Sequence, residues 1–323
     1  MNARLLIPFL LAASGCAQAP SPALLVLNKA ANELAIVDPA SGKVAARIPV
    51  GESPHEITVS TDGRYAFVSN YGARTPGQTI SMIDIAAMKE ARRADLGPLR
   101  KPHGIFFAGG GVYFTAENNR LIGRYDPVNN KIDWLYGMGQ IGTHMVSLNK
   151  DLSRIFTANI GSNSVTVMER VNGPAGWNMT VIPVGKAPEG NDLTRDEKEL
   201  WVANGQDGTV SIIDIGSKKV SETIDIQTKR SNRLQFTPDG KLAFVSDMGG
   251  DELVVIDAAT HKEVKRLSPG KSPEGILMQP DGSRVFVALA GDNAVAVIDP
   301  KTLQVVKRIS TGAGPDGLAW VGR

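Results

Sequence analysis

The chain contains a single cysteine, Cys16, among its 323 residues. One cysteine excludes an internal disulfide and a thiolate metal site in the mature domain. The chain also has no large excess of positive or negative charge, because it contains 35 basic and 33 acidic residues and its net charge is +2. A nucleic-acid partner usually needs a concentrated basic face, so none is expected.

The N-terminus carries a short apolar run. Residues 5–13 are too few to cross a bilayer as a permanent helix. Arg4 before the run and small residues after it complete the pattern of an export signal. The tetrapeptide ASGC at residues 13–16 resembles the lipobox of bacterial lipoproteins, in which the cysteine is lipidated and becomes the new N-terminus. The alternative is ordinary cleavage after Ala19.

This pattern predicts how the chain is divided and where it is located. Residues 1–15 are predicted to be a lipoprotein signal peptide, and residues 16–22 a lipidated N-terminus with a short tether. The protein is then exported, lipid-anchored at Cys16 and periplasm-facing, at the outer membrane if the host is Gram-negative. Residues 23–323 are left as one domain, which we expect to be a monomer.

Helical periodicity of useful length is missing after the signal segment, and a repeat is present instead. A small polar phrase occurs seven times, as SPHEITV, KPHGIFF, GTHMVSL, APEGNDL, RSNRLQF, SPEGILM and GPDGLAW. The third residues of successive phrases are 48, 41, 45, 43, 42 and 42 positions apart. Such a period is typical of a four-stranded blade of a β-propeller.

The strands of each unit can be recognised between turn clusters. In the last complete unit they are GILMQ, RVFVALA, AVAVID and QVVKRIS. The mature chain begins with strands two to four of a unit, and the missing first strand, GLAWV, lies at the C-terminus. Pairing the two ends in one blade leaves no open sheet edge there. The sequence therefore predicts an all-β, seven-bladed propeller with four antiparallel strands per blade, closed by the C-terminal strand.

The repeat phrases also carry a family resemblance. AFVSN, WVANGQDGTVSIID and FVALAGDNAVAVID resemble the YVTN (YncE-like) family of β-propeller repeats, and the resemblance covers essentially residues 23–323. Relatives of this repeat type include haem-binding propellers of nitrite reductases, lactonase-like propellers and proteins proposed only to bind partners. The resemblance implies the architecture and does not select among these functions.

Two polar rings are predicted at one mouth of the central channel, where first strands begin and second strands end. The inner ring, from the third residue of each phrase, is His55, His103, His144, Glu189, Asn232, Glu274 and Asp316. The outer ring, from the ends of the second strands, is Asn28, Asn70, Glu117, Asn159, Asn204, Asp247 and Leu289. An insertion in the second blade, NYGARTPGQT, should place Tyr71 and Arg74 over the same mouth. A longer hairpin that includes Trp177 should lie on the opposite face as a separate contact surface.

Three histidines in consecutive blades make this mouth the candidate site. His55, His103, His144 and Glu189 are suited to a divalent transition metal such as zinc, copper or iron, with Glu117 or Glu274 as a further ligand or base. The alternatives are a solvated structural channel and direct binding of an organic ligand. The candidate ligand-binding residues are Asn70, Tyr71, Arg74, Glu117, Asn159, Glu189, Asn204, Asn232, Asp247, Glu274 and Asp316.

Three classes of function stay open. The first is a tethered propeller that binds a small ligand, a metal or a protein partner at the mouth. The second is a metal-dependent hydrolase or lyase, lactonase-like, that uses the same residues. The third is a propeller that handles haem noncovalently, since no CxxCH attachment site is present. No GxSxG elbow occurs, and no catalytic residue can be assigned.

A recurring aspartate at the end of the third strand has a structural explanation. A carboxylate there can accept backbone N–H bonds from the turn that follows. These residues are Asp38, Asp84, Asp126, Asp214, Asp257 and Asp299.

Overall fold

The molecule is a ring of seven four-stranded antiparallel sheets, described by a computed structural model for residues 18–171 and 176–322. Six sheets use four strands consecutive in the chain, and the seventh pairs the last strand of the chain with the first three. The predicted all-β propeller is confirmed. The predicted signal peptide and Cys16 lie outside the described residues.

The strands of blades 1 to 4 are short and regular. They are β1 (Ala23–Asn28), β2 (Glu33–Val37), β3 (Val44–Pro49), β4 (Pro54–Val59), β5 (Tyr65–Asn70), β6 (Thr79–Asp84), β7 (Lys89–Asp95), β8 (Pro102–Ala108), β9 (Gly111–Ala116), β10 (Leu121–Asp126), β11 (Lys131–Gly137), β12 (Thr143–Leu148), β13 (Arg154–Asn159), β14 (Ser164–Arg170) and β15 (Trp177–Pro183). Two single-turn 3-10 helices, Lys29–Ala31 and Glu117–Asn119, follow β1 and β9.

Blades 5 to 7 and the closing strand repeat the pattern. They contain β16 (Pro188–Leu193), β17 (Glu199–Asn204), β18 (Thr209–Asp214), β19 (Lys219–Asp225), β20 (Ser231–Phe236), β21 (Leu242–Asp247), β22 (Glu252–Asp257), β23 (Lys262–Leu267), β24 (Pro273–Met278), β25 (Val285–Leu289), β26 (Ala294–Asp299), β27 (Gln304–Ser310) and β28 (Pro315–Val321).

Closure of the ring depends on the two chain ends. Strand β28 pairs with β1 in an antiparallel register that sets Leu24 opposite Trp320 and Leu25 opposite Ala319. The innermost strand of each blade, β28 in blade 1 and the first strand elsewhere, packs against the innermost strands of both neighbouring blades. This arrangement leaves no gap around the channel and brings distant residues to one axis.

The core lies between the blades and is built from the second and third strands. Six of the seven second strands bury an aromatic side chain three residues before the outer-ring position, and blade 1 has Leu25 there. These aromatic residues are Phe67, Phe114, Phe156, Trp201, Phe244 and Phe286. Burying each one contributes roughly 2–3 kcal/mol. The fourth strands alternate exposed and half-buried residues because one face meets solvent.

The recurring aspartates do cap their turns, as predicted. Asp38 accepts the backbone N–H of Ala40, and Asp299 accepts that of Lys301, at 2.9 and 2.8 Å. The same kind of bond is made by Asp84, Asp126, Asp214 and Asp257.

The long hairpin of blade 4 leads into β15, which begins at Trp177. The ring centroid of Trp177 lies 6.1 Å from that of Trp134. Residues 172–175 at its tip lie outside the described residues. The separate contact surface expected there stays a prediction.

Candidate functional site

All seven residues of the predicted inner ring meet at one end of the channel. Each is the second residue of its innermost strand, and together they line a cavity of about 270 Å³. Seven residues outside the inner ring also contribute to its wall: Lys29, Tyr71, Glu117, Ile160, Arg230, Arg233 and Met248. Residues far apart in the chain meet in this ring, since His55 and Asp316 are 261 positions apart and line the same cavity.

A β-bulge at the start of each innermost strand explains how these side chains reach the channel. In blade 2, Pro54 pairs with Asn70, and the next paired residue is Ile57, so His55 and Glu56 are both left out of the ladder. The first and second strands show register shifts at this place in the other blades too. Bulges re-aim side chains and are common beside functional sites.

His55, His103 and His144 form a row of aromatic rings. The ring centroids of His103 and His144 are 3.6 Å apart in a stacked arrangement, and those of His55 and His103 are 5.0 Å apart. Burial lowers the pKa of His55, and it lowers that of His103 well below the usual value. These two imidazoles are therefore neutral near pH 7.

His144 has the opposite protonation state. Its Nδ1 is hydrogen-bonded to Oε1 of Glu117, and its Nε2 lies 3.6 Å from Oε1 of Glu189, at ion-pair distance. Burial lowers the pKa of His144, but these two carboxylates outweigh burial and raise the pKa to about 9. The site therefore places an imidazolium directly against the neutral ring of His103.

Tyr71, from the inserted loop of blade 2, covers the row of histidines. Its ring centroid lies 4.6 Å from that of His55 and 5.4 Å from that of His103. Its hydroxyl donates to Oε2 of Glu117 at 2.7 Å and accepts from Nζ of Lys101 at 3.1 Å. Burial and the nearby Glu117 raise the pKa of Tyr71, so it remains a neutral phenol.

The floor of the cavity is closed by Arg233, which crosses the channel axis. Its Nη1 donates to Oε1 of Glu189 at 3.0 Å, and its Nη2 bonds to Oε1 of Glu56 on the far side of the ring. Nη2 also lies 3.9 Å from Oδ1 of Asp316. Burial, with repulsion from Asp316, raises the pKa of Glu56, and the guanidinium opposes that rise. A single cation thus holds together residues from four blades.

A second cation closes the side of the cavity between blades 1 and 7. Nζ of Lys29 lies 2.7 Å from Oε2 of Glu274 and 2.9 Å from Oδ2 of Asp316. Burial and then repulsion from Asp316 raise the pKa of Glu274 to about 7. Burial would also raise the pKa of Asp316, but Lys29 and Arg233 outweigh it and lower the pKa.

The outer ring corrects the predicted site, because its amides and carboxylate do not reach the cavity. Asn70, Asn159, Asn204 and Asp247 are at most 1% exposed and bond within or beside their own blades. Asn204, for example, donates to the hydroxyls of Thr209 and Ser211, both at 2.9 Å. Asp247 accepts backbone N–H bonds of Lys229 and Arg230. Glu117 alone lines the cavity, because it opens the 3-10 turn after β9 and reaches His144. Arg74 is exposed and lines neither mouth cavity.

The predicted metal ligands do not form a coordination site in this arrangement. Within residues 18–171 and 176–322, no three His, Asp or Glu side chains are arranged to hold a metal ion. His103 and His144 stack face to face, so their ring nitrogens point in parallel directions and do not converge on one ion. His144 is also held between Glu117 and Glu189. Metal binding would require at least one ring to turn, and it stays a prediction.

Sequence reasoning missed Glu56, Arg233 and Lys29. Glu56 and Arg233 occupy the position after the inner ring, where four blades have glycine: Gly104, Gly190, Gly275 and Gly317. A Cβ at Gly275 would lie 2.1 Å from the carbonyl O of Asp316 in the next blade. Long charged residues at a repeat position where most blades have glycine are the signal that could have revealed the ion pair between Glu56 and Arg233 across the channel.

Comparisons with known proteins agree on the fold. No family model matches the chain, so its membership of the YVTN family stays a prediction. Antigen Lp49 of Leptospira interrogans is 28% identical over 83 residues, which span 26% of this chain and only 18% of that protein. The segment is too short to transfer a function.

Solved structures match over most of the chain. The periplasmic gluconolactonase PpgL of Pseudomonas aeruginosa is 19% identical, with a TM-score of 0.77 and coverage of 94% of this chain and 99% of that one. Dihydro-heme d1 dehydrogenase NirN, in complex with DHE, is 16% identical, with a TM-score of 0.65 and coverage of 92% and 74%. At such identities the likeness shows the fold alone.

None of the helices in the described part of the chain has the length and apolar character needed to cross a bilayer. The lipid anchor at Cys16 and export stay predictions.

The charge state of the three buried histidines gives a direct test of this site. At pH 7.5 we expect His144 to be an imidazolium and His55 and His103 to be neutral. Glu117→Gln should move the pKa of His144 from about 9 towards 6.5, because its hydrogen-bonded carboxylate is lost. Nitrogen-15 NMR of labelled histidines between pH 5 and 10 measures both values.

The sign of the associated stability change follows from linkage. The pKa of His144 is raised on folding, so its ion pairs stabilise the protein fully below about pH 6.5 and are lost as the pH rises through about 9. Glu169→Gln is the matched control, since that carboxylate is far from the channel and pairs with Arg154 and Lys218. An unprotonated His144 at pH 7 in the wild type would contradict the assigned charge state.

Proposed function

We propose that the protein binds a small polyhydroxylated organic ligand in the cavity at the channel mouth. The main support is that several buried polar atoms of the residues lining this cavity have no hydrogen-bond partner. Among the described residues, no hydrogen-bond partner is present for Nδ1 of His103 or Oδ1 of Asn232. Nε2 of His144 and Oδ1 of Asp316 also lack a hydrogen bond, since their nearest charged neighbours, Glu189 and Arg233, are 3.6 and 3.9 Å away. Buried polar groups are costly when unpaired, so these atoms favour a bound polar molecule.

The mixture of these groups points to hydroxyls. Protonated His144 offers only donors, the oxygens of Asn232 and Asp316 accept, and neutral His103 can do either at its two nitrogens. A hydroxyl both donates and accepts, so several hydroxyls on one compact molecule can meet this set. A volume of about 270 Å³ limits the ligand to a small one.

Hydrolysis of a lactone is a second candidate, favoured by the contrasting charges of two adjacent rings. Neutral His103 can accept a proton from water, while the imidazolium of His144 can donate a hydrogen bond to a carbonyl oxygen. The likeness to a propeller named as a gluconolactonase supports the same chemistry.

The proposed reaction is balanced without a redox partner. Water adds to the carbonyl carbon of the lactone, and His103 takes up the proton that water releases. The ring C–O bond of the tetrahedral intermediate then breaks, and the leaving alkoxide takes a proton back. The product is one hydroxy acid from one lactone and one water.

Calorimetric titration with D-gluconate, D-glucitol and D-glucose tests binding. We expect at least one of the three to bind the wild type and His103→Ala to weaken it at least tenfold, about 1.4 kcal/mol for a lost buried hydrogen bond. His261→Ala is the matched control, because that histidine lies in a turn on the opposite face against Glu222. No binding of any of the three compounds would contradict the proposal.

The catalytic candidate is measured by acid release from D-glucono-1,5-lactone above its spontaneous hydrolysis. Loss of activity in His103→Ala, with retention in His261→Ala, is expected for the histidine mechanism. Retained activity in His103→Ala would contradict it. Sensitivity of the wild type to a chelator would instead support the metal-dependent form of the hydrolase. A Soret absorption band on adding haem would support the haem alternative.

A further inference from the structure

A second cavity lies beside the first at the same mouth. It has a volume of about 530 Å³ and lies between blades 1 and 2. Three residues, Lys29, His55 and Tyr71, line both cavities. The two spaces are therefore neighbours that share one wall of three side chains.

The shared wall is held in place from both sides. Nζ of Lys29 is fixed by Glu274 and Asp316 in the inner cavity. Nδ1 of His55 donates to the carbonyl O of Ser53 at 2.9 Å, on the outer side. Tyr71 contacts the ring of His55 and is anchored by Glu117. A molecule too long for the inner cavity meets these three residues and continues over them.

The outer cavity is preformed by a tightly closed loop. Its backbone bonds run from Gly72 N to the carbonyl O of Glu52 at 2.9 Å and from Gly77 N to that of Tyr71 at 2.7 Å. Gly72 has a φ of +83°, and a Cβ there would lie 2.2 Å from the backbone N of Gly77. Only glycine fits this position, and the two backbone bonds close the loop beside the cavity.

Part of the wall of the outer cavity consists of polar groups that can bond to hydroxyls, beside an apolar surface that includes Ala30 and Ala73. Asn32 and Ser53 lie on one side, joined by a bond from Ser53 N to Oδ1 of Asn32 at 2.7 Å. The Glu52 carboxylate accepts the backbone N–H of Ala73 at 3.3 Å and offers further acceptor capacity. The Ser53 hydroxyl can donate. Tyr71 adds an aromatic surface at the boundary. These groups match a second polyhydroxylated unit.

We propose that the outer cavity is a second subsite, and that the ligand of this protein is a two-unit saccharide acid or lactone rather than a single unit. One end unit occupies the inner cavity against His103 and His144, and the second unit occupies the outer cavity over the wall formed by Lys29, His55 and Tyr71. This inference rests on the proposed function of the inner cavity.

Calorimetric titration compares D-gluconate with its 4-linked and 6-linked disaccharide counterparts, maltobionate, cellobionate and melibionate. At least one disaccharide acid is expected to bind the wild type ten or more times tighter than gluconate. Ala73→Trp fills the outer cavity from an exposed position that does not touch the inner one, and it should remove that advantage while leaving gluconate binding unchanged. Ala86→Trp, in an exposed turn on the opposite face, is the matched control.

The outcomes separate this inference from the proposed function. Binding of gluconate with no gain for any disaccharide, or a gain that survives Ala73→Trp, overturns the second subsite and leaves the inner one intact. Absence of binding by all four acids overturns the binding of saccharide acids at both subsites.

Discussion

Replacing Arg233 with alanine is expected to lower the free energy of unfolding by about 3–5 kcal/mol, because it breaks a buried ion pair by removing one partner. The guanidinium is the cation between Glu56 and Glu189 at the channel axis. Without it, two buried carboxylates face each other across a closed channel. Chemical denaturation at pH 7 measures the loss.

The pH dependence of this variant identifies the cause. Carboxylates left without their cation have raised pKa values in the folded state, so the folded variant binds protons more readily than the unfolded chain. Its deficit in stability should therefore shrink as the pH falls from 7 towards 5. Adding Glu56→Gln to Arg233→Ala should restore part of the stability at pH 7.

Arg266→Ala is the matched control for Arg233→Ala. Arg266 also bridges two carboxylates, Glu252 and Glu263, but at the surface, where ion pairs contribute little. Equal losses of stability in the two variants would contradict the structural role of Arg233 at the channel axis. So would a loss of stability in Arg233→Ala that does not change with pH.

Removing residues 312–323 is expected to abolish cooperative unfolding. The deletion takes away β28, the innermost strand of blade 1, and exposes the edge of β1, whose six residues are all buried. It also separates β24 from β4, which β28 joins around the channel. An unpaired, apolar strand edge promotes aggregation. Circular dichroism during heating and size-exclusion chromatography measure the outcome.

Two further chains serve as controls for the deletion. A chain ending at Val321 keeps all of β28 and should unfold as the full chain does. A circular permutant that carries residues 312–321 ahead of β1 through a glycine-serine linker should recover a cooperative transition. A monomeric deletion variant with an unchanged melting curve would show that the ring does not need its closing strand.

The fold could be predicted because its determinants repeat along the chain. Seven copies of one phrase, each followed by the same alternation of apolar runs and turn clusters, define the blades, and the incomplete first unit defines the closure. The inner ring followed from the same alignment, since one column of the repeat must occupy one radius of the propeller. Periodic features of this kind need no knowledge of side-chain contacts.

The roles of single side chains could not be predicted in the same way. The outer-ring asparagines look like ligands in the alignment, yet the second strand buries them and their amides bond to hydroxyls such as those of Ser81 and Ser211. Glu56 and Arg233 are separated by 177 residues and meet only because a bulge turns both towards the axis. The stacking of His103 on His144 depends on the radius of the channel, which the aligned repeats do not specify.

A crystal structure of the protein soaked with D-gluconate or with a disaccharide acid tests the central claim most directly. We expect density for one saccharide unit in the inner cavity, with hydroxyls about 3 Å from nitrogens of His103 and from Oδ1 of Asn232. An inner cavity filled only by ordered water at saturating ligand, or a ligand bound away from the three histidines, would contradict it.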